Sequence, residues 1–82
     1  MSDPEVKEIG RIAAPYRREI VLQDVTHESG MRLLRIRIRE GRRFTILDID
    51  GATADQWSDM MRDWRREAGD SAGPLPDDEP AS

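Results

Sequence analysis

The most regular hydrophobic pattern in the chain is the alternation of apolar and charged residues over 34–39, Leu-Arg-Ile-Arg-Ile-Arg. Successive side chains of a β-strand point to opposite faces, so this pattern predicts a strand with one apolar and one arginine-bearing face. The segment 44–49, Phe-Thr-Ile-Leu-Asp-Ile, is rich in β-branched and apolar residues and predicts the next strand. Gly41 and Arg42 lie between them, which predicts a β-hairpin with a two-residue type II′ turn.

The position of this turn determines which residues of the two strands are paired. With Gly41 and Arg42 in the turn, the apolar pairs on one face are Leu34–Ile49, Ile36–Leu47 and Ile38–Thr45. The pairs on the other face are Arg35–Asp48, Arg37–Ile46 and Arg39–Phe44. A shift of the turn by one residue would pair Ile38 with Arg43 and mix the two faces, so the first register is favoured.

A further strand is predicted upstream, at residues 20–26, Ile-Val-Leu-Gln-Asp-Val-Thr. Residues 27–31 form the connecting turn, in which Gly30 can adopt a positive φ. Pairing Thr26 with Arg32 adds two apolar pairs to the same face, Leu22–Ile36 and Ile20–Ile38. The sequence therefore predicts two consecutive hairpins that share an Ile/Leu-rich face.

After Gly51 the apolar period changes from 2 to 3.6, which predicts a helix over about 54–67. Thr53 and Gln56 fit a capping box at its start, and Gly69 fits a stop at its end. The helix has one apolar stripe, formed by Ala54, Trp57, Met60, Met61, Trp64 and Ala68. Two interpretations stay open: the stripe packs on the Ile/Leu face, or part of it contacts a second copy, since Trp and Met are enriched at interfaces. The candidate core or dimer contacts are Trp57, Met60, Met61 and Trp64.

These elements predict an α+β fold, a small antiparallel sheet of three to four strands followed by one C-terminal amphipathic helix packed on one face. Residues 1–18 are an N-terminal segment with a possible extra strand, and 19–68 contain the hairpins and the helix. Residues 69–82 are acidic, contain three prolines and are predicted to be disordered. A chain of 82 residues buries a modest fraction of its surface, so we expect a homodimer.

Residues that could support catalysis are few. His27 is the single histidine and falls in a predicted exposed turn, and Asp48 and Asp50 lack the further oxygen ligands that a cation site requires. There is no cysteine, no phosphate-binding loop, no dinucleotide motif and no nucleophile elbow. The sequence therefore predicts a protein that is not an enzyme and has neither a cofactor nor a metal site.

The sequence also lacks the patterns that are typical of a membrane helix and of an export signal. No apolar run approaches the roughly 20 residues of a membrane helix. The start, Met-Ser-Asp-Pro-Glu, is too acidic and polar for a secretory signal. We therefore expect a cytoplasmic protein without a membrane partner.

The charges are segregated along the chain, although the net charge is −4. Residues 11–43 contain nine arginines against four acidic residues, a net charge of +5. Arginine forks match phosphate, and an aromatic ring can stack on a base. The candidate ligand contacts are Arg35, Arg37, Arg39, Arg43 and Phe44. The candidate partners are a single-stranded nucleic acid or an acidic protein surface; alternatively, the arginines are solvated and paired with neighbouring carboxylates.

The segments 36–40, Ile-Arg-Ile-Arg-Glu, and 53–57, Thr-Ala-Asp-Gln-Trp, resemble motifs of the transcriptional positive-cofactor family of single-stranded-DNA-binding coactivators. The resemblance covers about residues 19–67. It implies a curved antiparallel sheet that binds single-stranded DNA through basic and aromatic residues, and a helix that helps to form a homodimer. The implied ligand contacts are Arg35, Arg37, Arg39, Arg43 and Phe44, and the implied core or dimer contacts are Trp57, Met61 and Trp64.

Overall fold

The computed structural model describes residues 3–73. Its elements in chain order are β1 Glu5–Ala14, β2 Arg18–Thr26, β3 Arg32–Glu40, β4 Arg43–Ile49 and α1 Gly51–Ala68, followed by a short 3-10 helix at Gly69–Ala72. The four strands form one antiparallel sheet in the order β1-β2-β3-β4. The predicted class, an antiparallel sheet followed by one C-terminal helix, is confirmed.

The two predicted hairpins have the predicted registers. Ile36 is paired with Leu22 on one side and with Leu47 on the other, so three strands contribute to one apolar row. Gly41 has a φ of 63° and Gly30 a φ of 94°. Both turns therefore use the left-handed backbone region that glycine tolerates without a Cβ clash.

The N-terminal segment contributes an edge strand. β1 pairs with β2 along its whole length, and the register shifts between Glu8 and Gly10. Ile9 is therefore the extra residue of a β-bulge, a device that twists a strand locally and is common at sheet edges.

The helix begins earlier than the sequence predicted. Asp50 is the N-cap, and its Oδ1 accepts a hydrogen bond from the Thr53 N–H at 2.9 Å. The predicted capping box at Thr53 and Gln56 is wrong because the aspartate at the end of β4 already satisfies that N–H, and this bond lowers the pKa of Asp50. Gly69 caps the other end with a φ of 53°, which confirms the predicted stop.

The tail predicted to be disordered falls mostly outside the described residues. Its first part, Gly69–Ala72, is the short 3-10 helix that continues from α1. Residues 74–82, which include the remaining acidic residues and prolines, lie outside the described part of the chain.

The strand registers define two faces of the sheet. We call one the apolar face, although Asp24 and Arg32 lie on the same side at one end; its apolar members are Ile12, Ile20, Leu22, Leu34, Ile36, Ile38, Leu47 and Ile49. We call the other the arginine face; its members are Glu8, Arg11, Glu19, Val21, Gln23, Val25, Arg35, Arg37, Arg39, Phe44, Ile46 and Asp48. Each face extends across all four strands.

Apolar residues are buried on both faces. Ile36 and Ile49 are buried on the apolar face, as expected. Val21 is buried to a similar degree on the arginine face, and Val25, paired there with Val6 and Leu33, has no exposed surface. The sequence did not predict this burial. Val21 lies between Arg11 and Arg37 in the register, and the aliphatic stems of long arginine side chains can cover a small residue between them.

The helix contacts the sheet through β3, near the start of the helix. Ala54 and Trp57 are half-buried, whereas Met60, Met61 and Trp64 are 64%, 58% and 61% exposed. Packing of the helix on one face of its own sheet is therefore supported only for its first turns. No helix among the described residues combines the length and the apolar character needed to cross a membrane.

Candidate functional site

Four of the five candidate ligand contacts share one face of the sheet. Arg35, Arg37 and Arg39 alternate along β3, and Phe44 is paired with Arg39 across the last hairpin. Arg43 precedes Phe44 on β4 and therefore belongs to the opposite side of the sheet, at its end. The strand alternation that the sequence showed is what aligns the other four.

Arg35 is engaged by a carboxylate of the neighbouring strand. Its Nε and Nη2 donate to the two carboxylate oxygens of Asp48 at 2.9 and 3.1 Å. These hydrogen bonds lower the pKa of Asp48 and raise the pKa of Arg35. Arg35 is thus paired within the sheet by a bidentate contact, the geometry in which an arginine–carboxylate pair is strongest.

Arg39 belongs to a looser network that reaches across three strands. Glu19 on β2 accepts a hydrogen bond from Nη1 of Arg11 at 3.3 Å and lies 3.8 Å from Nε of Arg39. Arg11 also donates from Nε to Glu8 at 3.0 Å, which lowers the pKa of Glu8. Two arginines therefore share two carboxylates on the exposed surface, where such pairs contribute little stability.

Arg37, at the centre of the arginine face, has no carboxylate partner among the described residues. Its guanidinium lies 5.1 Å from the centre of the exposed Phe44 ring, a cation–π arrangement. Its buried Nε, and the buried Oε1 of Gln23 on the adjacent strand, have no hydrogen-bond partner within residues 3–73. Buried groups without partners are rare and costly, so the polar pairing at the middle of this face is incomplete among the described residues.

A shallow hollow of about 180 Å³ surrounds this position. It is lined by Arg11, Glu19, Val21, Arg37, Arg39 and Phe44. Three cations, one carboxylate, an apolar floor and an aromatic ring together suit a ligand that has both negative charge and a flat apolar group.

A second group of arginines lies at one end of the sheet. Arg18 is paired with Ala14 on one side and with Glu40 on the other, so the turns at 15–17 and 41–42 are at the same end. We call this the basic end; its members are Tyr16, Arg17, Arg18, Arg42 and Arg43. Arg18 forms an ion pair with Glu40, whereas the other three arginines have no carboxylate partner in the described part of the chain.

The first turn of the basic end is strained. Tyr16 and Arg17 have φ values of 64° and 62°, in the left-handed region that residues with a Cβ rarely adopt. The guanidinium of Arg18 lies 5.6 Å from the centre of the Tyr16 ring. Sequence reasoning did not nominate this turn. The signal that could have found it is the Arg-Arg pair that occurs at both turns, 17–18 and 42–43.

The acidic residues considered for a cation site have other roles. Asp48 is bound by Arg35, and Asp50 caps the helix. Within residues 3–73, no group of three or more His, Cys, Asp or Glu side chains is arranged to hold a metal ion. The side chains of the site that remain available for a ligand are therefore its arginines and its aromatic rings.

Comparison with known proteins gives a family for this chain. A search of curated proteins and a search of solved structures found no significant match. One family profile, described as a family of unknown function (DUF6967), matches residues 3–67. The match begins just before β1 and ends within the last turn of α1, so it includes the whole sheet. The chain therefore belongs to the DUF6967 family, whose function is unknown.

Proposed function

We propose that the protein is a non-enzymatic module that binds single-stranded nucleic acid on the arginine face of its sheet. The observation that carries this proposal is the state of Arg37. It lies at the centre of an open sheet face, stacked on an exposed aromatic ring, with a buried donor that no described residue satisfies. A nucleotide supplies the two groups that fit there, phosphate oxygens for the guanidinium and a base for the ring.

The basic end extends this surface. Arg17 and Arg42, which lie in its two turns, have no carboxylate partner within residues 3–73 and are exposed. A strand bound at Arg37 and Phe44 would reach them by following β3 and β4 toward their shared turn. Each phosphate that an arginine neutralises releases condensed counterions, which favours binding at low salt.

An acidic protein surface is the second candidate partner, and the interleaved carboxylates favour it. Glu8, Glu19 and Asp48 lie among the arginines of the same face. They repel the uniform negative charge of a nucleic acid, whereas a protein surface can present a basic side chain opposite each of them. The two candidates therefore differ in how they tolerate these three residues.

Fluorescence anisotropy with a labelled oligothymidine of about 15 nucleotides tests the proposal. We expect binding at low salt that weakens steeply at physiological salt. Four phosphate contacts would give a slope of log K against log salt of about −3. Replacing Arg37 and Arg39 together by Ser should reduce that slope by about 1.4, since two phosphate contacts are lost.

The matched control is Arg62→Ser combined with Arg66→Ser, which removes the same charge from the exposed side of the helix. This variant should bind with nearly unchanged affinity. Equal loss in both double variants would show that net charge alone matters, and absence of binding even at low salt would exclude the nucleic-acid proposal. Binding of polyglutamate without binding of the oligonucleotide would favour the acidic protein partner instead.

A further inference from the structure

The apolar stripe of the helix is left largely uncovered by its own chain. Met60, Met61 and Trp64 expose more than half of their surface. The helix contacts the sheet mainly at β3, and the half-buried stripe residues are Ala54 and Trp57 in its first half and Ala68 at its end. Burying a large apolar side chain is favourable by about 1.5–3 kcal/mol, so the exposure of this stripe to water is unfavourable.

The apolar face of the sheet is incomplete in the same way. Ile12 on β1 and Leu47 on β4 are 54% and 45% exposed, and they lie on its two edge strands. Ile9, the extra residue of the bulge, is 60% exposed beside a groove of about 620 Å³ next to the start of the helix. One chain therefore contains an apolar sheet face that is covered at its centre but not on its edge strands, and a helix stripe that is exposed at Met60, Met61 and Trp64.

Several large apolar side chains stay exposed on these two surfaces. Ile12 and Leu47 on the sheet and Met60, Met61 and Trp64 on the helix are each between 45% and 64% exposed. Apolar residues scattered singly over a surface are normal, whereas an apolar patch built from several of them marks an interaction surface.

We infer that a second copy of the same chain covers both surfaces, in a twofold dimer in which the helix stripe of each copy packs on the apolar face of the other. The two surfaces are complementary and belong to one chain, so a twofold axis satisfies both with a single contact type used twice. The arginine face, on the other side of each sheet, stays open in this dimer.

Measurement of the molecular mass in solution tests the inference. The wild-type chain should have a mass of about 19 kDa, twice the 9.4 kDa of one chain, by sedimentation or light scattering at tens of micromolar. If the mass stays that of one chain at all concentrations up to about 100 µM, the inference is overturned. Interfaces of standard size support a tighter association than that.

Two pairs of substitutions at neighbouring positions test the arrangement. On the sheet, Leu47→Glu should dissociate the dimer, whereas Ile46→Glu should not, because Ile46 is similarly exposed but lies on the arginine face. On the helix, Met61→Glu should dissociate it, whereas Arg62→Glu should not, because Arg62 lies off the stripe.

We expect the dissociation constant to rise at least about 30-fold for Leu47→Glu and for Met61→Glu, as for a buried interface residue. Circular dichroism checks that each variant is folded, and the exposure of all four residues in one chain favours folding. If Met61→Glu dissociates the dimer but Leu47→Glu does not, the helix does not pack on the partner's sheet and the arrangement is wrong.

Discussion

The two faces of the sheet differ in how their side chains are satisfied. On the arginine face, Arg35 pairs with Asp48, and Arg11 and Arg39 share Glu19. These contacts all join neighbouring strands of one chain. On the apolar face the central residue, Ile36, is buried, but Leu47 on the edge strand is not. One face is thus largely completed by cross-strand neighbours, whereas the other requires a second layer.

The difference follows from the range of the forces. An ion pair or a cation–π contact is completed by one side chain a few ångströms away, and cross-strand neighbours lie at that distance. Removal of apolar area from water requires a covering surface, which neighbours in the same sheet layer cannot provide. A single-layered sheet can therefore satisfy an arginine row but not an isoleucine row.

The largest expected effect is a difference in the free energy of unfolding between a substitution at the centre of the apolar face and one at its edge. Ile36→Ala should lower the free energy of unfolding by about 3 kcal/mol, because it leaves a cavity at a buried position. Leu47→Ala should cost less than about 1 kcal/mol at submicromolar concentration, since Leu47 is half-exposed in one chain. Urea unfolding at several protein concentrations measures both.

The cost of Leu47→Ala should also grow with protein concentration, because association with a second copy buries that side chain. Equal costs for the two variants in the dilute sample would mean that the apolar face is already covered within one chain. The contrast between the two faces would then be lost.

A smaller effect is expected at the strained turn of the basic end. Arg17→Asn should stabilise the fold by up to about 1 kcal/mol, because Asn tolerates the left-handed region better than Arg. The control is Arg42→Asn, which removes the same charge at a position without a positive φ. Both variants should weaken oligothymidine binding similarly. A thermal melt in which Arg17→Asn is no more stable than Arg42→Asn would contradict the strain.

The smallest effect concerns the pair of Arg35 and Asp48. Because Arg35 lowers the pKa of Asp48, the pair stabilises the fold above the unfolded pKa of about 4. This stabilisation is lost as the pH falls through the lowered pKa. Asp48→Asn should therefore cost about 0.5 kcal/mol at pH 7, and the difference from wild type should shrink in acid.

The control for this pair is Asp59→Asn, which removes a carboxylate on the exposed side of the helix that has no ion-pair partner among the described residues. Its effect on unfolding should be small, since a solvated carboxylate contributes little to stability. Urea unfolding at pH 7 and pH 3 distinguishes the two variants. A difference between wild type and Asp48→Asn that does not change with pH would contradict the role of the pair.

The strands β2 to β4, the two hairpin registers and the division into an apolar and an arginine face follow from the sequence pattern, which left β1 as a possible extra strand. These features depend on the period of two along a strand and on turns of fixed length, which are local properties. The cap at Asp50 was also within reach, because aspartate before a helix is a strong N-cap, but the Thr-x-x-Gln pattern competed with it.

The pairing of Arg11 and Arg39 and the position of the helix depend on the tertiary structure. Glu19 reaches both Arg11 and Arg39 because β2 lies between β1 and β3, and Arg37 lacks a carboxylate among the described residues because Val21 and Ile46 flank it. The stripe stays exposed because α1 contacts the sheet mainly at β3. Such features depend on distances between residues far apart in the chain, which the local pattern of apolar and polar residues does not contain.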